Sequence, residues 1–168
     1  MKKNLKRIST LALSICLMAT MAFSANAGSV SNAKYFHSKA ADSYVLNAYT
    51  STRPINGTRV TLYEKETPAT TTQKFWTKNG SIYCAANGAA PELRVAYVYE
   101  VAKFRPITYD DTLGVFDAEI AGLNSTYLYK LRAYPNDCVL TAKTIDRGAD
   151  VEFDVKTNDN NQKWQLKY

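Results

Sequence analysis

Histidine is almost missing from this sequence: His37 is the only one in 168 residues. Its scarcity removes the side chain most often used as a general base near neutral pH and as a metal ligand. Cysteine is also rare, at three residues, and no two of them form a Cys-x-x-Cys pair, so a zinc site has no sequence support. Nor does the chain contain His-Glu-x-x-His, a Gly-x-Ser-x-Gly elbow or a glycine-rich phosphate loop, the marks of metalloprotease, serine-hydrolase and nucleotide chemistry. The adjacent carboxylates Asp110 and Asp111 sit in TYDDTLG, a polar turn, whereas glycosidase carboxylates must face one another across a cleft. These absences lead to the expectation of a non-catalytic protein without cofactor or metal, in which His37 is a strand residue rather than a base.

Long apolar runs are confined to the first 27 residues. MKKNLKRIST carries four cations, LALSICLMATMAF is apolar, and Ala25-Asn26-Ala27 is a small-residue cleavage pattern. That arrangement is a secretory signal peptide, and the run is too short for the roughly 20 apolar residues of a membrane span. A single domain is therefore expected over residues 28–168, secreted or periplasmic, with no membrane insertion. Removing the leader lowers the formal charge from +6 to about +2, and no basic stripe remains, which excludes a nucleic-acid binder that works by neutralising phosphates. Cys84 and Cys138 then stand alone, either as one disulfide closing a long loop or as two buried thiols.

Tyrosine, threonine and valine are abundant in short alternating runs: RVTLYEK, SIYCA, RVAYVYEVAKF, YLYKLRAY and VEFDVK. They are separated by Asn, Gly, Pro and Asp, the pattern of short strands joined by turns. No segment after the leader keeps a helical apolar stripe for about three turns. The chain also repeats itself. TTTQKFWTKNG at 70–80 is echoed by NNQKWQLKY at 160–168, VLNAY at 45–49 by VLTAK at 139–143, and GTRVTLYEK at 57–65 by GADVEFDVK at 148–156. Leu46 and Leu140 are flanked by these matches, and Leu93 lies midway between them, 47 residues from each. Tyr35, Ile82 and Tyr129 each precede one leucine by 11 residues, and Phe75, Phe116 and Trp164 follow as core aromatics.

Three units of about 47 residues, each with about four short strands, predict an all-β chain folded as a β-trefoil: a six-stranded barrel capped by three hairpins, which needs three-fold equivalent apolar positions. Each unit must bend from cap hairpin back into barrel, and the backbone groups of that buried bend need partners. A glutamine can donate and accept at once, so Gln73 and Gln162 are expected to hold the bends while Phe75 and Trp164 fill the core.

Gln-x-Trp near the end of each of three repeats resembles the ricin-type β-trefoil lectins, a family of carbohydrate-binding modules. The likeness covers the chain after the leader. Its motif is complete at Gln162-Lys163-Trp164, becomes Gln73-Lys74-Phe75 in the first unit, and keeps only Phe116 in the second. The resemblance implies a shallow sugar pocket made of an acidic residue after the leucine, an aromatic platform and an Asn-Gln pair. Those positions fall on Asn47, Tyr63 and Gln73 in the first unit, and on Thr141, Asp154, Asn161 and Gln162 in the third. In the second, Arg94 takes the acidic position. None of the three acidic positions is a carboxylate. The partner so implied is a cell-surface glycan, a glycoprotein or a polysaccharide. The alternative is a protein partner held by exposed loops such as 51–57 or 104–112, for an inhibitor, an assembly subunit or a toxin accessory subunit.

Overall fold

Alternating apolar residues put one face of each short strand into a common core. The computed structural model describes residues 30–89, 91–108, 112–134 and 137–168; the leader and the Asp110-Asp111 pair lie outside them. Unit one comprises β1 (Tyr35–Ser38), β2 (Ala41–Ala48), β3 (Val60–Glu64) and β4 (Phe75–Lys78). Unit two comprises β5 (Ser81–Cys84), β6 (Leu93–Val98), β7 (Val101–Pro106) and β8 (Phe116–Gly122), and unit three β9 (Thr126–Leu131), β10 (Cys138–Thr141), β11 (Glu152–Val155) and β12 (Trp164–Lys167). The protein is a β-trefoil.

The barrel closes through equivalent contacts between and within units. β4 pairs with β5, β8 with β9, and β12 with β1. The closing bonds are also equivalent: Lys34 bridges Phe75, the Phe116 N–H donates to the Gly80 carbonyl at 2.8 Å, and Trp164 pairs with Tyr127. The β4–β5 turn is Asn79-Gly80, both with positive φ, the two-residue geometry that matches strand twist and favours Asn-Gly.

The hairpins β2–β3, β6–β7 and β10–β11 form the cap. They meet in a triangle where Val151 N–H donates to the Val60 carbonyl (3.0 Å), Ala102 N–H to the Val151 carbonyl (2.8 Å) and Phe104 N–H to the Thr58 carbonyl (2.8 Å). Val60, Ala102 and Val151 are fully buried at its centre. Below them Leu62, Phe104 and Phe153 face their cross-strand partners Leu46, Val95 and Leu140. Phe36, Ile82 and Tyr129 occupy the next equivalent level, beside the buried Phe75, Phe116 and Trp164.

Two assignments from the sequence are corrected by this register. The equivalent of Leu46 and Leu140 is Val95; Leu93 pairs with Pro106 at the strand's edge and is only half buried. Residues two apart on a strand share a face, so the shift leaves the alternation intact. Similarly, Phe36 stands with Ile82 and Tyr129, while Tyr35 is buried on the other side of β1, with Lys65 over its ring at 4.2 Å.

Cys84 and Cys138 are both free and buried, which settles the two alternatives in favour of thiols. Cys84 donates to the Thr71 carbonyl at 3.4 Å, and burial pushes its thiol up to about 12. Burial raises the Cys138 thiol as well, with the negative charges of Asp154 and Asp137 adding to it. Because the thiolate is the reactive form, neither cysteine should react with a thiol reagent at pH 8 in the folded protein, and both should react in denaturant; a fast-reacting thiol at either position before unfolding contradicts the burial.

Trp164 is fully buried and its indole N–H donates to the Leu140 carbonyl at 2.9 Å. Trp164→Ala should cost roughly 3–5 kcal/mol of stability in chemical denaturation. The register makes a sharper demand: Val95→Ala should cost about 1.5–3 kcal/mol, and Leu93→Ala less, although leucine is the larger side chain. The reverse order would restore Leu93 to the core.

Candidate functional site

The glutamines of the repeated motif are clamps. Gln73 ends a short 3-10 turn, Thr71–Gln73, and is fully buried. Its Oε1 accepts from the Glu66 N–H at 2.9 Å and its Nε2 donates to the Glu64 carbonyl at 2.8 Å. Gln162 ends the matching turn Asn160–Gln162. Its Oε1 accepts from the N–H groups of Thr157 (2.8 Å) and Asn158 (3.1 Å), and its Nε2 donates to the Val155 carbonyl at 2.8 Å. Both amides spend their main donor and acceptor on the backbone of the bend that leaves the cap strand. Gln73 and Gln162 are therefore structural, which corrects their assignment as ligand contacts.

Unit two has no such glutamine. Gly114 stands where the glutamine stands elsewhere, and a Cβ placed on it would lie 2.5 Å from the Arg94 Nε. The Arg94 side chain, buried to 4 % exposure, donates to Ser81 Oγ at 3.3 Å, and Ser81 Oγ donates to the Gly114 carbonyl at 3.0 Å. Arg94 pairs with Arg105, as Val45 does with Tyr63. It is thus equivalent to Val45, and Ala96 takes the position of Asn47.

Only in unit one do the residues assigned from the sequence converge. Asn47 and Tyr63 line one open groove of about 910 Å³ with Tyr49, Thr50, Ser51, Thr52, Arg53, Glu66, Ala69, Ala86 and the threonines 70–72. Asn47 forms part of its wall and is held by donation from Nδ2 to Thr61 Oγ1 at 3.2 Å. The Arg147 guanidinium covers one face of the half-buried Tyr63 ring, 4.5 Å from its centroid. Arg59 covers Tyr49 in the same way at 4.6 Å and is itself paired with Asp150 at 3.1 Å. Arg53 is positioned by Asn87, whose Oδ1 accepts from its Nε at 3.3 Å.

Glu66 is the one carboxylate along this groove. The family resemblance places an acid just after Leu46 and so does not point to Glu66. The signal was available: Glu66 lies seven residues before Gln73, and the bend that Gln73 clamps fixes the Glu66 backbone at the groove edge.

In unit three the assigned residues do other work. The Asp154 carboxylate accepts from the Val155 N–H at 2.8 Å, and Thr141 Oγ1 donates to the Val139 carbonyl at 2.9 Å. Asn161 ties its backbone carbonyl to the Ala142 N–H at 2.8 Å, and its side-chain Oδ1 is buried without a partner. Asp154 and Asn161 line neither of the two large cavities. The single histidine lies in β1, 4 % exposed, with Nδ1 donating to the Asp42 carbonyl at 2.6 Å. Burial lowers its pKa, although that hydrogen bond opposes the shift.

No family model matches the chain, and no curated protein matches it by sequence. Solved structures do resemble it. A designed 3-fold symmetric protein, ThreeFoil, superposes with TM-score 0.62 at 14 % identity, covering 81 % of this chain and 98 % of its own. The C-half of the earthworm R-type lectin, solved with GalNAc, gives TM-score 0.62 at 16 % identity, over 80 % of this chain and 97 % of that one. An endo-β-galactosidase from Clostridium perfringens matches over 80 % of this chain but 32 % of its own, with TM-score 0.59 and 9 % identity. At such identities the likeness shows the shared trefoil fold.

The clamp separates stability from recognition. Gln73→Leu removes two hydrogen bonds to the backbone of the bend and should cost about 1–3 kcal/mol, while any ligand affinity measured on the folded fraction stays within twofold of the parent. An affinity loss larger than the stability loss would return Gln73 to the site.

Proposed function

We propose that this protein is a secreted, non-catalytic carbohydrate-binding protein whose first unit holds one neutral sugar residue in the groove between β2, β3 and the loop at 51–53. The observation that carries this reading is the meeting of Tyr63, Asn47 and Glu66 on one groove. A pyranose presents an apolar C–H face and a rim of hydroxyls. The free face of Tyr63 suits the first, and the Glu66 carboxylate accepts strongly from the second through charge-assisted bonds. Threonines 70–72 and 50 supply further hydroxyl partners along the wall. The lectin among the similar structures lends support at the level of fold, and the leader at 1–27 supports export.

A glycan array on the purified protein identifies the sugar. Tyr63→Ala is then expected to abolish detectable binding with an unchanged melting midpoint, and Glu66→Gln to weaken it about tenfold by replacing a charged acceptor with a neutral one. Retained binding in both variants would sink the site.

A second reading, capture of a protein through the loops, is favoured by exposed apolar side chains at their tips: Ile55 is 71 % exposed and Tyr99 89 % exposed. It predicts a partner lost on Ile55→Asp and indifferent to Tyr63→Ala, the opposite of the sugar reading.

A further inference from the structure

A second cavity, of about 1120 Å³, opens in the barrel. Residues of β1, β4, β8, β9 and β12, or flanking them, line it together with the Asn79-Gly80 turn and Ala89 of the segment between β5 and β6, and no cap-hairpin strand contributes. Contributions from nearly all round the barrel and none from the cap place it at the barrel's open end. It shares no residue with the groove of unit one. The floor is apolar, made by the buried rings of Phe75, Phe116 and Tyr129.

The walls carry aromatic faces and positive charge. Trp76 lines the mouth, and Tyr83, which does not, is stacked against it with centroids 4.7 Å apart. Among the described residues the buried indole Nε1 of Trp76 has no hydrogen-bond acceptor. Three cationic side chains line the mouth, Lys34, Lys78 and Arg132, against one carboxylate side chain, that of Asp117. That carboxylate is already engaged: its Oδ1 accepts from Arg132 Nε at 2.9 Å and from the terminal nitrogen at 2.7 Å. Lys34 lies 4.5 Å over the Tyr168 ring, and Lys78 takes part in no ion pair among the described residues.

We propose that this mouth binds a carboxylate-bearing saccharide of the uronic acid class, its ring face against Trp76 and its carboxylate attracted by Lys78 and Lys34. An excess of cations over an apolar floor calls for a ligand that is anionic at one edge and apolar on a face. A simple inorganic anion would leave the aromatic walls and most of the volume unused. Asn32, Thr77 and Asn79 add polar partners for hydroxyl groups around the rim.

The protein supplies its own reporter. Trp76 and Trp164 are its two tryptophans, and Trp164 is fully buried, so a ligand in the mouth is read in Trp76 emission. The test titrates the full chain with a trimer of galacturonic acid and with its methyl-esterified, uncharged counterpart. The acid should produce a saturable emission change that Trp76→Phe removes, that Lys78→Glu weakens about tenfold through charge reversal, and that Tyr63→Ala leaves untouched. The ester should produce none. Equal binding of acid and ester, an unaltered affinity in Lys78→Glu, or the same change at the same concentration with sodium acetate would each overturn the proposal. None of those results bears on the sugar groove of unit one, which Tyr63→Ala tests separately.

Discussion

A carboxamide that gives one hydrogen bond and takes another governs how this chain closes. A trefoil leads its backbone from cap hairpin to barrel three times, and each passage buries peptide groups at a bend where no strand can pair them. Gln73 and Gln162 span the gap, each joining the end of a cap strand to the residue two positions on. With the bend fixed, the next aromatic enters the core at a set depth, and Phe75 and Trp164 reach fully buried positions. The triangle of Val60, Ala102 and Val151 then locks the three hairpins to one another at the far end.

Rigid closure is what makes the exposed segments usable. Loops on such a scaffold can vary without unfolding it, and the groove of unit one draws its walls from the 49–53 and 66–72 segments. Arg147 on Tyr63 and Arg59 on Tyr49 are cross-unit or cross-strand contacts that hold the rings in place, the preorganisation that the proposed binding would draw on. Fold likeness alone carries no such detail, since the same trefoil accompanies a lectin and part of a glycosidase.

The three-unit plan was legible in the chain because strand alternation and the Gln-x-aromatic echo report on neighbours close in sequence. Equal spacing was a weaker guide. Leu93 sits at the arithmetic midpoint of Leu46 and Leu140, yet the loop before β6 differs in length from its counterparts and the strand register places Val95 there. A displacement of two residues preserves the facing of every side chain, so pattern cannot detect it; only cross-strand pairing can. The residues of the candidate groove were less legible for a related reason. Asn47 and Tyr63 lie diagonally on the same face of one hairpin, beside the register pairs Asn47–Thr61 and Val45–Tyr63, and could be associated from a repeat alignment, whereas Glu66, Tyr49 and Arg53 reach the groove through loops whose paths the alternation does not encode. Asp154 and Asn161 aligned correctly and found other hydrogen-bonding roles, since an aligned position specifies a place on the backbone and not what its side chain does there.

The exchange at the second unit has a consequence for how this sequence can change. A side chain at position 114 would enter the space of the Arg94 guanidinium, so a glutamine there requires that the arginine move or give way to a shorter residue, and losing the arginine alone empties the space beside Gly114. The two positions form a single unit of variation, twenty residues apart in the chain. A symmetric redesign that copied unit three onto unit two would have to cross both changes in one step.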